Sequence, residues 1–187
     1  MTKNHLIEKI IGNCNNFPNK KILFDETKSF TYLKLLNLAY FNAQNVKKLK
    51  SPYVPIIISR NIESVVGILS IVLANKAFCP ISEGAPKERI KLILKKLNSK
   101  KYINCSKKKI NLPGKFNIKK NSNRINIFKE NFFSNPKNIF YVLFTSGSTG
   151  VPKGVKLSFN NILNTLYWSK KYLKWKNHKI GIATQFS

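Results

Sequence analysis

The feature that most constrains this chain is an apolar run that passes directly into a loop of glycine and hydroxyl residues. Residues 139 to 144 are continuously apolar, as in strands that are buried on both faces of a parallel sheet. The next ten residues include Gly147, Gly150 and Gly154. We expect these glycines to adopt positive φ angles and to bring backbone N–H groups close to an anion. A loop of this kind behind a buried strand is suited to a polyphosphate.

The side chains of the same segment, residues 145–153, supply the candidate ligands, and we call this segment the hydroxyl loop. Its hydroxyl groups can donate hydrogen bonds to phosphate oxygens, and Lys153, which follows Pro152, adds a positive charge. The loop is not a Walker A loop, because Lys153 precedes Gly154 rather than a Ser or Thr that opens a helix. A generic run of Ser, Gly and Thr would indicate only a flexible linker. The predicted phosphate-binding residues are Thr145, Ser146, Gly147, Ser148, Thr149, Gly150 and Lys153.

Strand-like and helix-like segments alternate before the hydroxyl loop. The predicted strands are Val54–Ile58, Ala77–Pro80 and Lys101–Cys105, and the helices between them run from Asn61 to Ala74 and from Pro86 to Leu97. This order predicts an α/β fold with a doubly wound layered sheet and right-handed crossovers.

The segments on either side of this alternation are predicted as follows. A short amphipathic helix near Leu6 and a strand at Lys21–Phe24 precede a helix from Tyr32 to Leu49, for which Thr31 is the N-cap. Residues 106–137 are polar and are predicted to be a solvated excursion. After the hydroxyl loop we expect a strand at Val155–Leu157, a helix capped by Asn160 or Asn161 and ending near Tyr172, and a further strand at Ile180–Ala183.

The net charge of +27 suggests a nucleic-acid partner, but the types of basic residue that produce this charge do not favour one. Only three of the 34 basic residues are arginine, the residue usually chosen for bidentate phosphate and base contacts. The lysines are spread along the whole chain and accompany many Asn and Ile residues, as AT-rich codons would produce. We therefore expect no specific nucleic-acid partner. The alternative, a basic nucleic-acid-binding protein, would bind with salt sensitivity and sequence preference.

Several other classes of protein are not favoured. The longest apolar run, Val65–Ala74, is too short for a membrane span and predicts a buried helix. The start of the chain has no signal-peptide pattern, so a cytoplasmic location is expected. Cys14, Cys79 and Cys105 are widely spaced, so neither a disulfide framework nor a zinc site is predicted.

The sequence Thr-Ser-Gly-Ser-Thr-Gly-x-Pro-Lys-Gly behind an apolar strand closely resembles the signature of the adenylate-forming superfamily. This superfamily includes acyl-CoA synthetases, luciferases and the adenylation domains of peptide synthetases. The resemblance extends to three further segments, of which the last two are typical of the amino-acid-activating branch: Phe30–Leu35, Ile71–Ile81 and Ala85–Ile90. Leu157-Ser-Phe-Asn-Asn161 is similar to the D-alanine–carrier protein ligases. Two positions depart from the family pattern, Asn75 in place of Gly and Ser82 in place of Asp.

The resemblance implies that residues 1–187 are the N-terminal portion of the large AMP-binding domain, without the small C-terminal domain. It implies ATP-dependent activation of a carboxylic acid, with an amino acid favoured, to an acyl-adenylate, and then transfer to a carrier-protein phosphopantetheine thiol or to coenzyme A. No catalytic residue is expected in this segment, and the acidic ligand of Mg²⁺ is expected beyond its end. The alternatives are an acyl-CoA ligase fragment, a non-catalytic remnant and one half of a split enzyme.

The resemblance also bears on three residues outside the hydroxyl loop. Phe159 could gate the carboxylate pocket or could be a core aromatic, and both interpretations stay open at this stage. Arg89 and Tyr32 are expected to be structural.

Overall fold

Strands and helices alternate along the chain in a computed structural model, which describes residues 5–119, 139–145 and 152–173. The strands are β1 (Lys21–Phe24), β2 (Ser29–Thr31), β3 (Tyr53–Ile58), β4 (Ala77–Ser82), β5 (Tyr102–Asn104), β6 (Lys115–Phe116), β7 (Ile139–Thr145) and β8 (Lys153–Ser158). The helices are α1 (His5–Asn16), α2 (Tyr32–Lys47), α3 (Ile62–Leu73), α4 (Lys87–Lys96) and α5 (Phe159–Leu173). The expected strand at Ile180–Ala183 lies outside the described residues.

Six of these strands form one sheet in the order β6-β5-β3-β4-β7-β8, and β1 pairs with β2 in a separate hairpin. Neighbouring strands of the sheet are parallel, except that β7 and β8 are antiparallel. From β3 the chain adds β4 on one side and then returns to add β5 and β6 on the other. This reversal confirms the prediction of a doubly wound α/β sheet. The carboxyl ends of the parallel strands share one edge, where open α/β sheets bind their ligands.

The sheet has a hydrophobic core on each face. On β3, Ile56 and Ile58 pack with α2 and α3, whereas Ile57 packs on the other face with Ile90 and Ile93 of α4. All five side chains are nearly inaccessible to solvent, and each stabilises the fold by about 1.5–3 kcal/mol relative to exposure. Strand residues alternate between faces, so β3 is apolar throughout because both faces are covered.

Helix α3 lies so close to the sheet that a side chain at Gly67 would have to displace its neighbours. A Cβ atom built on Gly67 would stand 2.6 Å from Ile56 Cδ1 and 2.8 Å from Cys105 Sγ. The glycine therefore sets the distance between α3 and β3.

Local sequence signals explain three of the helix ends. Thr31 and Asn61 cap α2 and α3 as N-cap residues, and the Asn61 side chain accepts a 2.8 Å bond from the Ser64 N–H. Asn75, which stands where the superfamily commonly has Gly, follows α3 with a φ of 57°. Asn is one of the few residues other than Gly that adopt this left-handed conformation readily, so the departure preserves the helix end.

The cap of α5 differs from the prediction. The helix begins at Phe159, and the capping residue is Ser158 rather than Asn160 or Asn161. Asn161 instead folds back, and its side-chain oxygen accepts bonds from the backbone N–H of Ser158 at 2.8 Å and from its hydroxyl at 2.7 Å. Asn161, three residues after Ser158, thus has the role that Glu or Gln has at the N3 position of a capping box.

The polar connection between β1 and β2 is organised by one carboxylate. Asp25 Oδ1 accepts bonds from the backbone N–H groups of Thr27 at 2.9 Å and Lys28 at 3.0 Å. The Thr27 N–H in particular lowers the pKa of Asp25 to about 2. Lys28 forms an ion pair with Glu63 in the first turn of α3. This ion pair links the β1–β2 connection to α3 at the carboxyl edge of the sheet.

The polar segment after β5 is more structured than predicted. Lys115 and Phe116 form β6 and pair in parallel with β5. Beyond β6, the side-chain amide of the buried Asn42 bonds both backbone groups of Lys119, accepting from the N–H at 2.7 Å and donating to the carbonyl at 3.0 Å. Residues 106–119 are mostly exposed, as a solvated excursion requires, but they also add an edge strand to the sheet; residues 120–138 lie outside the described residues.

None of the helices within the described ranges is long and apolar enough to cross a membrane.

Candidate functional site

The two stems of the hydroxyl loop are antiparallel neighbours in the sheet. Thr145 at the end of β7 lies opposite Lys153 at the start of β8, and Phe144 lies opposite Gly154. Opposed residues of an antiparallel pair project to the same face, with Cβ atoms about 4.5–5.5 Å apart. The Thr145 hydroxyl side chain and the Lys153 side chain, both exposed, therefore flank the mouth of the loop on one face of the sheet.

Two of the seven predicted phosphate-binding residues, Thr145 and Lys153, are thus brought together. The other five lie outside the described residues: Ser146, Gly147, Ser148, Thr149 and Gly150. Lys153 opens β8, two residues before the predicted start of that strand. Because the loop returns into a strand rather than a helix, its stems also differ from those of a Walker A loop.

The role predicted for Gly154 is wrong. Within the described residues, the glycine with a positive φ is Gly114, and Gly154 lies in regular extended backbone within β8. A Cβ atom on Gly154 would stand 3.1 Å from Phe144 Cζ and 3.3 Å from Val142 Cγ1. The glycine therefore lies in close approach to a buried aromatic ring, and not in a turn conformation.

An arginine side chain contacts the strand end that leads into the loop. Arg89 projects from α4, and its Nη2 donates a 3.1 Å hydrogen bond to the backbone carbonyl of Phe144, the residue before Thr145. We expected Arg89 to be structural and did not foresee this contact. The signals in the sequence were the rarity of arginine among the basic residues and the position of Arg89 in the family-like segment Ala85–Ile90.

The two aromatic candidates lie in the core. Phe159 is only 5% exposed and packs edge-on against Phe140 with ring centroids 4.5 Å apart. Of the two interpretations of Phe159, the structure supports the core aromatic. Tyr32 opens α2 and packs, partly buried, against the larger hydrophobic cluster, as expected of a structural residue.

A cavity of about 930 Å³ that sequence reasoning missed opens at the same edge of the sheet as Thr145. It lies at the carboxyl ends of β3, β4 and β5, and residues of the β1–β2 connection complete its wall. Its charged lining is mixed and includes four of the seven acidic residues of the chain. The charged residues are Asp25, Glu26, Lys28, Arg60, Glu63, Glu83, Lys107, Lys108 and Lys115.

The cysteines of the described segments are buried free thiols. Burial raises the pKa of Cys79 and of Cys105 to about 12, and it also raises the pKa of Cys14. Nowhere in the described ranges do three or more His, Cys, Asp or Glu side chains gather in a group that could hold a metal ion.

Comparison with known proteins agrees with this arrangement. Residues 12–184 match the family model of the AMP-binding enzymes. Gramicidin S synthase 2 of Brevibacillus brevis is 30% identical over 89% of the chain. The hydroxamate-type ferrichrome siderophore peptide synthetase of Schizosaccharomyces pombe is 32% identical over 77% of the chain. The chain spans only 4% and 3% of the length of these two proteins.

Solved structures share the fold. The nonribosomal peptide synthetase FmoA3 with bound α-methyl-L-serine-AMP matches 89% of the chain with a TM-score of 0.75 and 16% identity, over 19% of its own length. The N-terminal subdomain of Klebsiella oxytoca NpsA, in complex with 3-hydroxyanthranilyl-AMSN, matches 86% of the chain with a TM-score of 0.68 and 21% identity, over 42% of its length.

The chain therefore belongs to the AMP-binding, adenylate-forming family of enzymes. Its relatives named above are peptide synthetases, and the fold is that of the N-terminal part of their adenylation domains. The resemblance drawn from the hydroxyl loop is confirmed.

Proposed function

We propose that this chain is the N-terminal part of an adenylation domain that activates an amino acid with ATP. The observation that carries the proposal is the pair of loop stems, which presents Thr145 and Lys153 on one face at the carboxyl edge of the sheet. The membership of the AMP-binding family and the similarity to peptide synthetases support it. Residues 1–187 would then form an incomplete AMP-binding domain, and the small C-terminal domain would lie outside them.

In the proposed reaction, a carboxylate oxygen of the substrate attacks the α-phosphorus of ATP. The bond from this phosphorus to the bridging oxygen breaks, and pyrophosphate leaves as the acyl-adenylate forms. The hydroxyl loop would hold the β- and γ-phosphates and stabilise the charge that develops on the leaving group. Thr145 and Ser146 would contact phosphate directly, and Ser148, Thr149, Lys153 and the N–H groups of Gly147 and Gly150 would complete the cradle. Mg²⁺ would offset phosphate charge, and its acidic ligand would lie outside this segment.

The acceptor in the second step would be the phosphopantetheine thiol of a carrier protein. The amino acid would be transferred from its adenylate to this sulfur with release of AMP. Such a protein would work in the cytoplasm with ATP, an amino acid and a carrier protein as its partners. Transfer to coenzyme A is the alternative for the same loop chemistry.

A second candidate, half of a split enzyme or a non-catalytic remnant, is favoured by the apolar surface of α5. Trp168 is 57% and Tyr172 60% exposed, and β8 is the outer strand of the described sheet. Large exposed apolar surfaces and free strand edges promote association. Expressed alone, the 187-residue chain should self-associate in analytical ultracentrifugation unless its partner is supplied, whereas a soluble monomer would argue against its being an incomplete domain.

The test of the first proposal is exchange of labelled pyrophosphate into ATP by the complete gene product, supplied with each amino acid in turn. The double substitution Thr145→Ala and Ser146→Ala should lower the exchange rate by about 100-fold or more, because each removed donor costs roughly 10²–10³ in rate. Thr165→Ala, on the exposed face of α5, is the control.

Undiminished exchange in the double variant would refute the role of the loop. Exchange that depends on a fatty or aryl acid, and not on any amino acid, would move the protein to the acyl-CoA ligase branch.

A further inference from the structure

The hydrogen-bond ladder between β4 and β7 is missing one donor, at Pro80. Ala77 N–H bonds Pro52 O, and Glu83 N–H bonds Ile58 O, so the odd-numbered residues of β4 direct their backbone groups toward β3. The even-numbered residues of β4, Pro80 among them, direct theirs toward β7. Proline has no N–H to donate. The described register between β4 and β7 accordingly consists of the pair Phe78↔Tyr141.

The same alternation places the Phe144 carbonyl on the β4 side of β7. There it accepts the 3.1 Å hydrogen bond from Arg89 Nη2. A guanidinium group is a planar cation, and its geometry fixes the direction of its donors. Hydrogen bonds from charged donors are also stronger than those between neutral groups. The arginine side chain thus adds a hydrogen bond to β7 beyond the position where Pro80 has no N–H to donate.

The base of this side chain is fixed by the core. Ile90 and Ile93, on the same helix, are each only 2% exposed and anchor α4 against the sheet. On the opposite side of β7, Phe144 pairs with Gly154, whose backbone lies against the phenyl ring. Phe144 is therefore held from both sides of β7, by Arg89 and by β8.

We propose that Arg89 is a positioning residue for Thr145 and that it sets the peptide between Phe144 and Thr145, and with it the placement of the Thr145 hydroxyl toward the pyrophosphate. Arg89 acts through the Phe144 carbonyl. The inference rests on the proposed function, since it concerns where the loop holds the leaving group. A misplacement of about 1 Å in such a group can cost 100-fold in rate.

The experiment compares Arg89→Met and Arg89→Lys in the complete gene product, with Lys91→Met on the exposed side of α4 as the matched control. In pyrophosphate–ATP exchange, Arg89→Met should raise the KM for pyrophosphate about 10- to 100-fold and leave the KM for the amino acid within about 2-fold. Arg89→Lys, which keeps a charged donor, should recover part of the loss, and Lys91→Met should match the wild type. Equal changes in both KM values, or none, would overturn the proposal.

Amide hydrogen exchange gives a second readout that does not depend on activity. Arg89→Met should speed exchange in peptides from residues 139–145 and 153–158, while peptides from α2 and α3 keep their wild-type protection. Unchanged exchange in β7 and β8 would refute the positioning role even in an active enzyme. A wild-type protein that exchanges no pyrophosphate with any acid would instead refute the proposed function, and the two failures are thereby distinguished.

Discussion

Two glycines in helices provide a direct test of how closely α3 approaches the sheet. A Cβ atom on Gly67 of α3 would stand 2.6 Å from Ile56 Cδ1 and 2.8 Å from Cys105 Sγ, whereas a Cβ atom on Gly12 of α1 would meet nothing within 4 Å. Real Cβ atoms essentially never approach a neighbour as closely as at Gly67. The substitutions Gly67→Ala and Gly12→Ala therefore share one chemical change in two different surroundings.

Both substitutions gain about 1 kcal/mol of free energy of unfolding from the higher helix propensity of alanine. Gly67→Ala must also displace buried side chains, and overpacking of this kind costs about 1–3 kcal/mol. We expect Gly12→Ala to be stabilising and Gly67→Ala to be destabilising, each by about 1 kcal/mol. The propensity gain cancels in the comparison, so the difference of about 2 kcal/mol measures the overpacking alone.

The assay is thermal unfolding of the two variants and the wild type, followed by scanning calorimetry. The variants are made in the complete gene product, and for a cooperative unit of roughly 150–250 residues about 2 kcal/mol corresponds to a Tm difference of about 4–8 °C. Ile56→Val removes the Cδ1 atom, and in that background the cost of Gly67→Ala should fall by about 0.5 kcal/mol or more. If Gly67→Ala stabilised the protein as much as Gly12→Ala, the close packing of α3 on β3 would be wrong.

Three further predictions concern single side chains. Asn42→Ala should lower the free energy of unfolding by about 2–3 kcal/mol, because the backbone N–H and carbonyl of Lys119 lose their buried partner; urea titration measures the loss. Burial raises the pKa of Cys79 and of Cys105 to about 12. Both thiols should therefore resist a thiol-specific disulfide reagent at pH 8 in the folded protein and react at once in guanidinium, as measured by absorbance. The carboxyl of Asp25 should titrate near pH 2 in an NMR experiment. Since its pKa is lowered from 3.8, its stabilising effect should be complete above about pH 4 and disappear toward pH 2, and Asp25→Asn should abolish this pH dependence.

The elements that the sequence predicted well are those with strong local signals. The β-branched run of β3 and the Asn61 cap of α3 were both found at the expected places. The two-residue strand β6 was missed, because its pairing with β5 depends on the fold rather than on local composition. The hydrogen bonds between the Asn42 side chain and the Lys119 backbone join positions 77 residues apart, and no local pattern reveals such a contact.

In the candidate site too, features with a local sequence signal were predicted and features that depend on the folded structure were not. The residue types of the hydroxyl loop identified the family, and the opposed positions of Thr145 and Lys153 are consistent with a phosphate site. A glycine in a sequence does not reveal whether it serves a turn or a close approach, which is why the role of Gly154 was misjudged. The contact of Arg89 depends on where α4 lies against β7, and this placement follows only from the folded sheet.

The alternation of side chains along β7 has a consequence for how this enzyme family can diversify. Phe144 faces the core beneath α4, and the next residue, Thr145, faces the other way. The side chain proposed to contact the nucleotide therefore lies on one face of the sheet. The residues that position it lie on the opposite face, so the two sets can be mutated separately. Under the proposed function, changes on the α4 side would alter affinity gradually, without exchanging any atom that the ligand meets.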